Sequence, residues 1–135
     1  MSQENVEVVR RLFEATNRRD FATAMDAYAN NVVLVVADAV VPTNAGTFTG
    51  REAVGEWLGD WFRAFGTDYH FELEEVRSLG DRVLTVVSHH GTGWASGAEV
   101  QQITANAYTV REGKIVRLEF YRSRTEALKA VGLEE

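Results

Sequence analysis

The sequence predicts an α+β fold in which helices come first and a curled, mainly antiparallel sheet follows, forming a cone with one open mouth. Three observations carry this. Helical periodicity fills the N-terminal half. Long β-type runs fill the second half. A Glu112-Gly113 turn joins the last two strands as a hairpin, and the final strand runs into a short terminal helix.

Taken in order, residues 3–18 read as a helix, with Val6, Val9, Leu12 and Phe13 on one stripe. Asn17-Arg18-Arg19 breaks it. Asp20 caps a second helix, whose buried stripe is Phe21, Ala24, Met25 and Tyr28 and whose end falls at Asn30-Asn31. Val32 to Val36 is an apolar, β-branched run, hence a strand covered on both sides. Ala37 to Thr49 holds the only proline, Pro42, and reads as a loop with room for a short strand. Thr49-Gly50-Arg51-Glu52 has the pattern of a capping box. Val54, Trp57, Leu58, Trp61, Phe62 and Phe65 then recur at helical spacing, and Gly66 stops that helix.

Strands follow. Tyr69, Phe71 and Leu73 alternate with His70, Glu72 and Glu74. Gly80-Asp81 turns the chain. Residues 82–95 and 98–111 are long strands joined near Ser96-Gly97, with Gly91, Gly93 and Gly97 as places for bends or bulges. Ser123-Arg124-Thr125-Glu126 repeats the capping-box pattern. Leu128 and Val131 dock the terminal helix, which stops at Gly132. A strongly curved sheet with helices across its concave side encloses a pocket.

Bulk properties narrow the function. The 135 residues form one domain, residues 1–135, with a continuous core. The formal charge of −6 and the absence of a basic stripe argue against nucleic acid and anionic membranes. There is no cysteine, which excludes disulfides, thiolate catalysis and cysteine-ligated metals. No signal-peptide pattern opens the chain and no apolar stretch reaches membrane-spanning length, so a cytoplasmic protein is expected. No Gly-rich strand-to-helix loop marks a dinucleotide site, and no ligand-spaced cluster marks a metal. No cofactor is expected.

Several motifs resemble the SnoaL-like and ketosteroid isomerase-like branch of the NTF2-like superfamily. They are Val9-Arg10-Arg11-Leu12-Phe13-Glu14-Ala15 with Asn17-Arg18-Arg19-Asp20-Phe21, then Thr49-Gly50-Arg51-Glu52-Ala53-Val54, then Arg111-Glu112-Gly113-Lys114-Ile115-Val116 with Phe120-Tyr121. The resemblance implies the cone-shaped, cystatin-like fold and a homodimer through the outer face of the sheet. Apolar residues on both faces of the two long strands suit such a dimer, because helices cover only the concave side. The superfamily mixes isomerases, cyclases, dehydratases, hydrolases and noncatalytic binders. In ketosteroid isomerase a tyrosine, a proton-shuttling aspartate and a second acid do the chemistry. Their positions match Leu12, the neighbourhood of Val36 and Asn106. Asp38 supplies the shuttling acid if the strand is offset by a bulge. Asn106 donates an amide hydrogen bond but has no titratable proton.

The candidate catalytic residues are therefore Asp38, His89, His90 and Asn106. His89 and His90 point to opposite faces of their strand, and one of them should enter the pocket. His89 shares a face with Val83, Thr85 and Val87. His90 shares one with Leu84, Val86 and Ser88. Both faces are apolar, so the choice stays open. Gln102, Thr104, Asn106 and Tyr108 form a polar row on one strand face. Facing inward, the row offers hydrogen bonds to a ligand. Facing outward, it packs on a partner. The candidate ligand-binding residues are Tyr28, Trp57, Trp61, Trp94, Tyr108 and Tyr121, with core packing the competing role for the tryptophans of the third helix.

Three functions suit this pattern. One is acid–base chemistry on an apolar carbonyl-bearing ring compound. Another is noncatalytic binding of a small apolar ligand. In the third, the interior is filled by side chains and the domain is structural. A carboxylate or histidine within reach of a ligand favours the first. An interior of amides and phenols favours the second.

Overall fold

The computed structural model describes residues 2–36, 45–65, 68–92 and 99–132. Helix α1 spans Ser2–Asn17 and α2 spans Phe21–Asp26. Strands β1 (Tyr28–Val36) and β2 (Gly46–Thr49) precede helix α3, Arg51–Phe65. Strands β3 (His70–Leu79), β4 (Arg82–Thr92), β5 (Glu99–Arg111) and β6 (Lys114–Tyr121) follow, and α4 closes the order at Arg124–Ala130.

The six strands make one sheet in the order β2-β1-β6-β5-β4-β3. This corrects the expected strongly curved, mainly antiparallel cone. The sheet is mixed, because β1 lies parallel to β6, with Leu34 opposite Leu118 and Val36 opposite Phe120. It is also open and not strongly curled, with β2 and β3 as separate edges. Gly91 makes no bulge in β4, where it sits in regular register opposite Val100, and Gly93 and Gly97 lie outside the described residues. The described irregularities lie elsewhere, at Leu73/Glu75, at Thr109/Val110 and between Tyr28 and Val33.

Local chemistry accounts for most boundaries. The Asp20 side chain accepts from the Thr23 amide, and Ser123 accepts from the Glu126 amide, each satisfying an orphan donor of a first helical turn. Glu112 and Gly113 both have positive φ, at 53° and 78°, as a two-residue type I′ hairpin turn requires. Two boundaries differ from expectation. Helix α2 ends at Asp26, not at Asn30-Asn31, because Tyr28 already belongs to β1 and the Ile115 amide donates to the Ala27 carbonyl. Thr49 belongs to β2, and Gly50, at φ +96°, stands at the threshold of α3.

The sheet is covered on both faces. Val83, Val87 and Tyr108 join the main core with α1, α2 and α3 through residues such as Val9, Ala24 and Trp57. On the opposite face, Leu84 and Ala105 pack with Ala127 and Leu128 of α4. This cover stops short of Ile103, which is 51% exposed.

Candidate functional site

Between the helices and the sheet lies a cavity of about 410 Å³. Its walls follow from the amphipathic stripes. Helix α1 contributes Leu12, Phe13 and Thr16, and α2 contributes Phe21, Ala24 and Met25. Helix α3 presents Gly55, Leu58, Gly59 and Phe62 at three- and four-residue spacings, with Trp61 and Arg63 beside them. The sheet side carries Tyr69 and Phe71, His89, Asn106 with Tyr108, and Leu118 with Phe120. The mouth lies where lining residues reach solvent, at Phe21 and Arg63. Its depth is the sheet, where His89 and Asn106 are 5% and 2% exposed.

His89 sits in a buried hydrogen-bonded chain. Its Nδ1 is 2.6 Å from the Tyr69 hydroxyl, and its Nε2 is 2.9 Å from Thr104 Oγ1. Trp61 Nε1 donates to the same Tyr69 oxygen at 3.0 Å. A neutral imidazole satisfies this chain. The Tyr69 hydroxyl donates a hydrogen bond to Nδ1, and Nε2–H donates to Thr104. Burial, helped by the neighbouring His90, pulls the His89 pKa down from 6.5 to about 4. Burial also raises the phenols of Tyr28, Tyr69 and Tyr108. The deep, sheet-side wall of the cavity is thus uncharged at neutral pH, Arg63 is the cation among its described lining residues, and none of them is a carboxylate.

Asn106 and Tyr108 of the β5 polar row line this interior. Thr104 is the His89 partner, and Asn106 Nδ2 donates to the Tyr108 hydroxyl at 3.4 Å. Asn106 Oδ1 is buried without a hydrogen-bond partner, as is the hydroxyl of Thr85, its register partner on β4. An unsatisfied buried acceptor costs about 1–3 kcal/mol.

The other candidates fall elsewhere. His90 turns to the opposite face, 2.9 Å from Ser88 Oγ through its Nε2 and stacked on His70 at 5.2 Å. Trp57 stands behind the wall, stacked on Trp61 at 5.7 Å and edge-on to Phe120 at 4.9 Å. Tyr121 packs near α4 and donates to Glu119, while burial pushes its phenol up to about 12. Asp38 and Trp94 lie outside the described residues. Val36 is buried in β1, opposite Phe120. Tyr69 and Thr104, which hold His89, were not among the candidate site residues. Tyr69 carries only the alternation signal of a core strand. Among the described residues, no three His, Cys, Asp or Glu side chains group to hold a metal ion, and no helix is long and apolar enough to cross a membrane.

An α+β domain with helices over a mixed sheet and an apolar cavity between them has the architecture of the NTF2-like superfamily. The model of the SnoaL-like domain matches residues 9–118, and the chain belongs to that family. Solved structures share the fold at low identity. TerC, co-crystallised with polyporic acid, is 20% identical, with 93% of this chain and 96% of that one covered and a TM-score of 0.77. An NTF2-like protein of unknown function from Burkholderia pseudomallei is 20% identical over 96% and 98% of the two chains, with a TM-score of 0.78. A protein with a ketosteroid isomerase-like fold from Catenulispora acidiphila, in complex with trimethylamine, is 20% identical over 94% and 93%, with a TM-score of 0.71. No curated protein matches the chain.

Proposed function

We propose that the protein binds a small, uncharged, mostly apolar molecule, held by the aromatic walls and oriented by a hydrogen bond to Asn106. The observation that carries this is Asn106 Oδ1, unpaired at the depth of a cavity of about 410 Å³. An acceptor buried this way is satisfied by a ligand hydroxyl or N–H. An ionised ligand group would meet no opposite charge at that depth and would keep its desolvation cost. Two similar proteins, TerC and the Catenulispora protein, were solved with small molecules, which supports a binding role. The reading is one of binding because no described lining carboxylate is present and both nitrogens of His89 are engaged.

Calorimetric titration with 2-naphthol and naphthalene tests this. Wild type should bind both. Asn106→Leu should weaken 2-naphthol by about tenfold, the worth of one hydrogen bond, and leave naphthalene nearly unchanged. Equal losses on the two probes would remove Asn106 as the anchor. Failure of wild type to bind either probe would sink the reading.

We also propose that a second copy of the chain covers the outer sheet face around Ile103. Ile103 is 51% exposed and is not part of the cluster that Leu84, Ala105 and Val86 form with Ala127 and Leu128 of α4. Light scattering should give about twice the 15.1 kDa chain mass, and Ile103→Glu should shift it toward one. A wild-type mass of one chain at micromolar concentration counts against the dimer.

A further inference from the structure

Two glycines interrupt α3 where nothing in the backbone asks for them. Neither Gly55 nor Gly59 has a positive φ. A Cβ built on Gly55 would meet Met25 Cε at 3.6 Å and Sδ at 4.0 Å, which is ordinary contact with a flexible side chain. The nearest atoms to a Cβ on Gly59 belong to the guanidinium of Arg63, at 3.4 Å and beyond, the far end of a side chain that is 70% exposed. Glycine is among the poorest residues for a helix interior, so both positions weaken α3 with no gain in packing.

Both glycines line the cavity. They lie one helical turn apart, on the stripe shared with Leu58 and Phe62. Asn106, 2% exposed, faces the same space with its Oδ1 unpaired. The α3 wall thus lacks side chains at two positions beside Leu58 and Phe62, while the sheet wall holds an acceptor without a partner.

We infer that Gly55 and Gly59 set the length of ligand the cavity accepts, by leaving two positions of the α3 wall without a side chain, past which an elongated, flat molecule extends from Asn106 toward the mouth at Phe21 and Arg63. The ligand class is an extended aromatic or polycyclic compound with a hydroxyl or N–H at its inner end. This rests on the small-molecule reading of the cavity. Larger side chains at either position would shorten the space without touching the anchor, which makes the two glycines specificity-determining residues.

The test pairs 2-naphthol with the longer 4-phenylphenol and measures both thermal stability and affinity. Gly55→Ala and Gly59→Ala should each raise Tm by about 3–6 °C, as helix propensity predicts. Each should weaken 4-phenylphenol by roughly tenfold or more, and by clearly more than it weakens 2-naphthol. The Tm rise shows that the variants fold. Stabilised variants that bind both probes as wild type does would overturn the inference and leave the binding function standing. A fall in Tm would also overturn it, since the glycines would then serve packing. If wild type binds neither probe, the inference falls together with the binding function.

Discussion

Replacing Trp57 with alanine is expected to cost about 3–5 kcal/mol of folding stability, the usual range for deleting a buried aromatic. The indole is 3% exposed. It stacks on Trp61 with an interplanar angle of 18° and stands edge-on to Phe120 of β6 at 87°. Such pairings add about 0.5–1.5 kcal/mol beyond area burial. Trp57 therefore ties α3 to the centre of the sheet, and it also backs Trp61, whose ring forms the cavity wall and whose Nε1 supports Tyr69. Domains of this kind have about 5–15 kcal/mol in total, so the loss removes a large share of it. In urea the midpoint should fall by about 2 M at an ordinary m-value. Trp57→Phe keeps one ring in the stack and should cost less than half as much. A loss below about 1 kcal/mol for Trp57→Ala would show that α3 is held by its other residues.

The parts of the fold that could be read from sequence are those set by neighbours along the chain. The α3 stripe, the Asp20 and Ser123 caps and the Glu112-Gly113 turn are local, and the structure contains each of them. Distant partners decided the rest. Met25 and Tyr28 continue a helical spacing, yet Tyr28 pairs with Ile115, far along the chain, and the helix gives way to β1. The same non-local pairing makes the sheet mixed, which hairpin signals between β3, β4, β5 and β6 do not reveal. His89 and His90 could not be told apart because α1–α3 cover one sheet face and α4 covers part of the other. Alternation carries little contrast when both faces are apolar. The Tyr69–His89 contact depends on the register of β3 against β4, where Phe71 lies opposite His89, and the bulge after Leu73 shifts that register. Asn106, by contrast, stood out as a candidate because the polar row on β5 is unusual for plain core, but which way the row faces was not legible. Asn106 and Tyr108 line the cavity.

Acidification from pH 6.5 to about pH 4 should remove about 3 kcal/mol of stability through His89 alone. Its pKa is 6.5 unfolded and about 4 folded, and each unit is worth about 1.4 kcal/mol. The direction follows from the depressed value. Above pH 6.5 neither state binds the proton, and the contribution is complete. Below it the unfolded chain takes up a proton that the folded chain refuses, so stability falls until the folded imidazole also titrates near pH 4. The folded state resists because the ring is 5% exposed and its nitrogens lie between Tyr69 and Thr104. Hydrogen bonds from Thr23 and Thr92 lower the carboxylates Asp20 and Asp68, so their loss of stability comes at lower pH, beneath the His89 range. Urea titrations of wild type and His89→Gln at pH 7.5, 6.5, 5.5 and 5.0 separate the contribution. The glutamine amide can still donate to and accept from the two hydroxyls, but it does not titrate. Wild type should lose about 2 kcal/mol between pH 6.5 and pH 5.0 beyond any change in the variant. Parallel pH profiles for the two proteins would mean that His89 takes up its proton as readily folded as unfolded, and that the Trp61–Tyr69–His89–Thr104 chain does not hold a neutral ring.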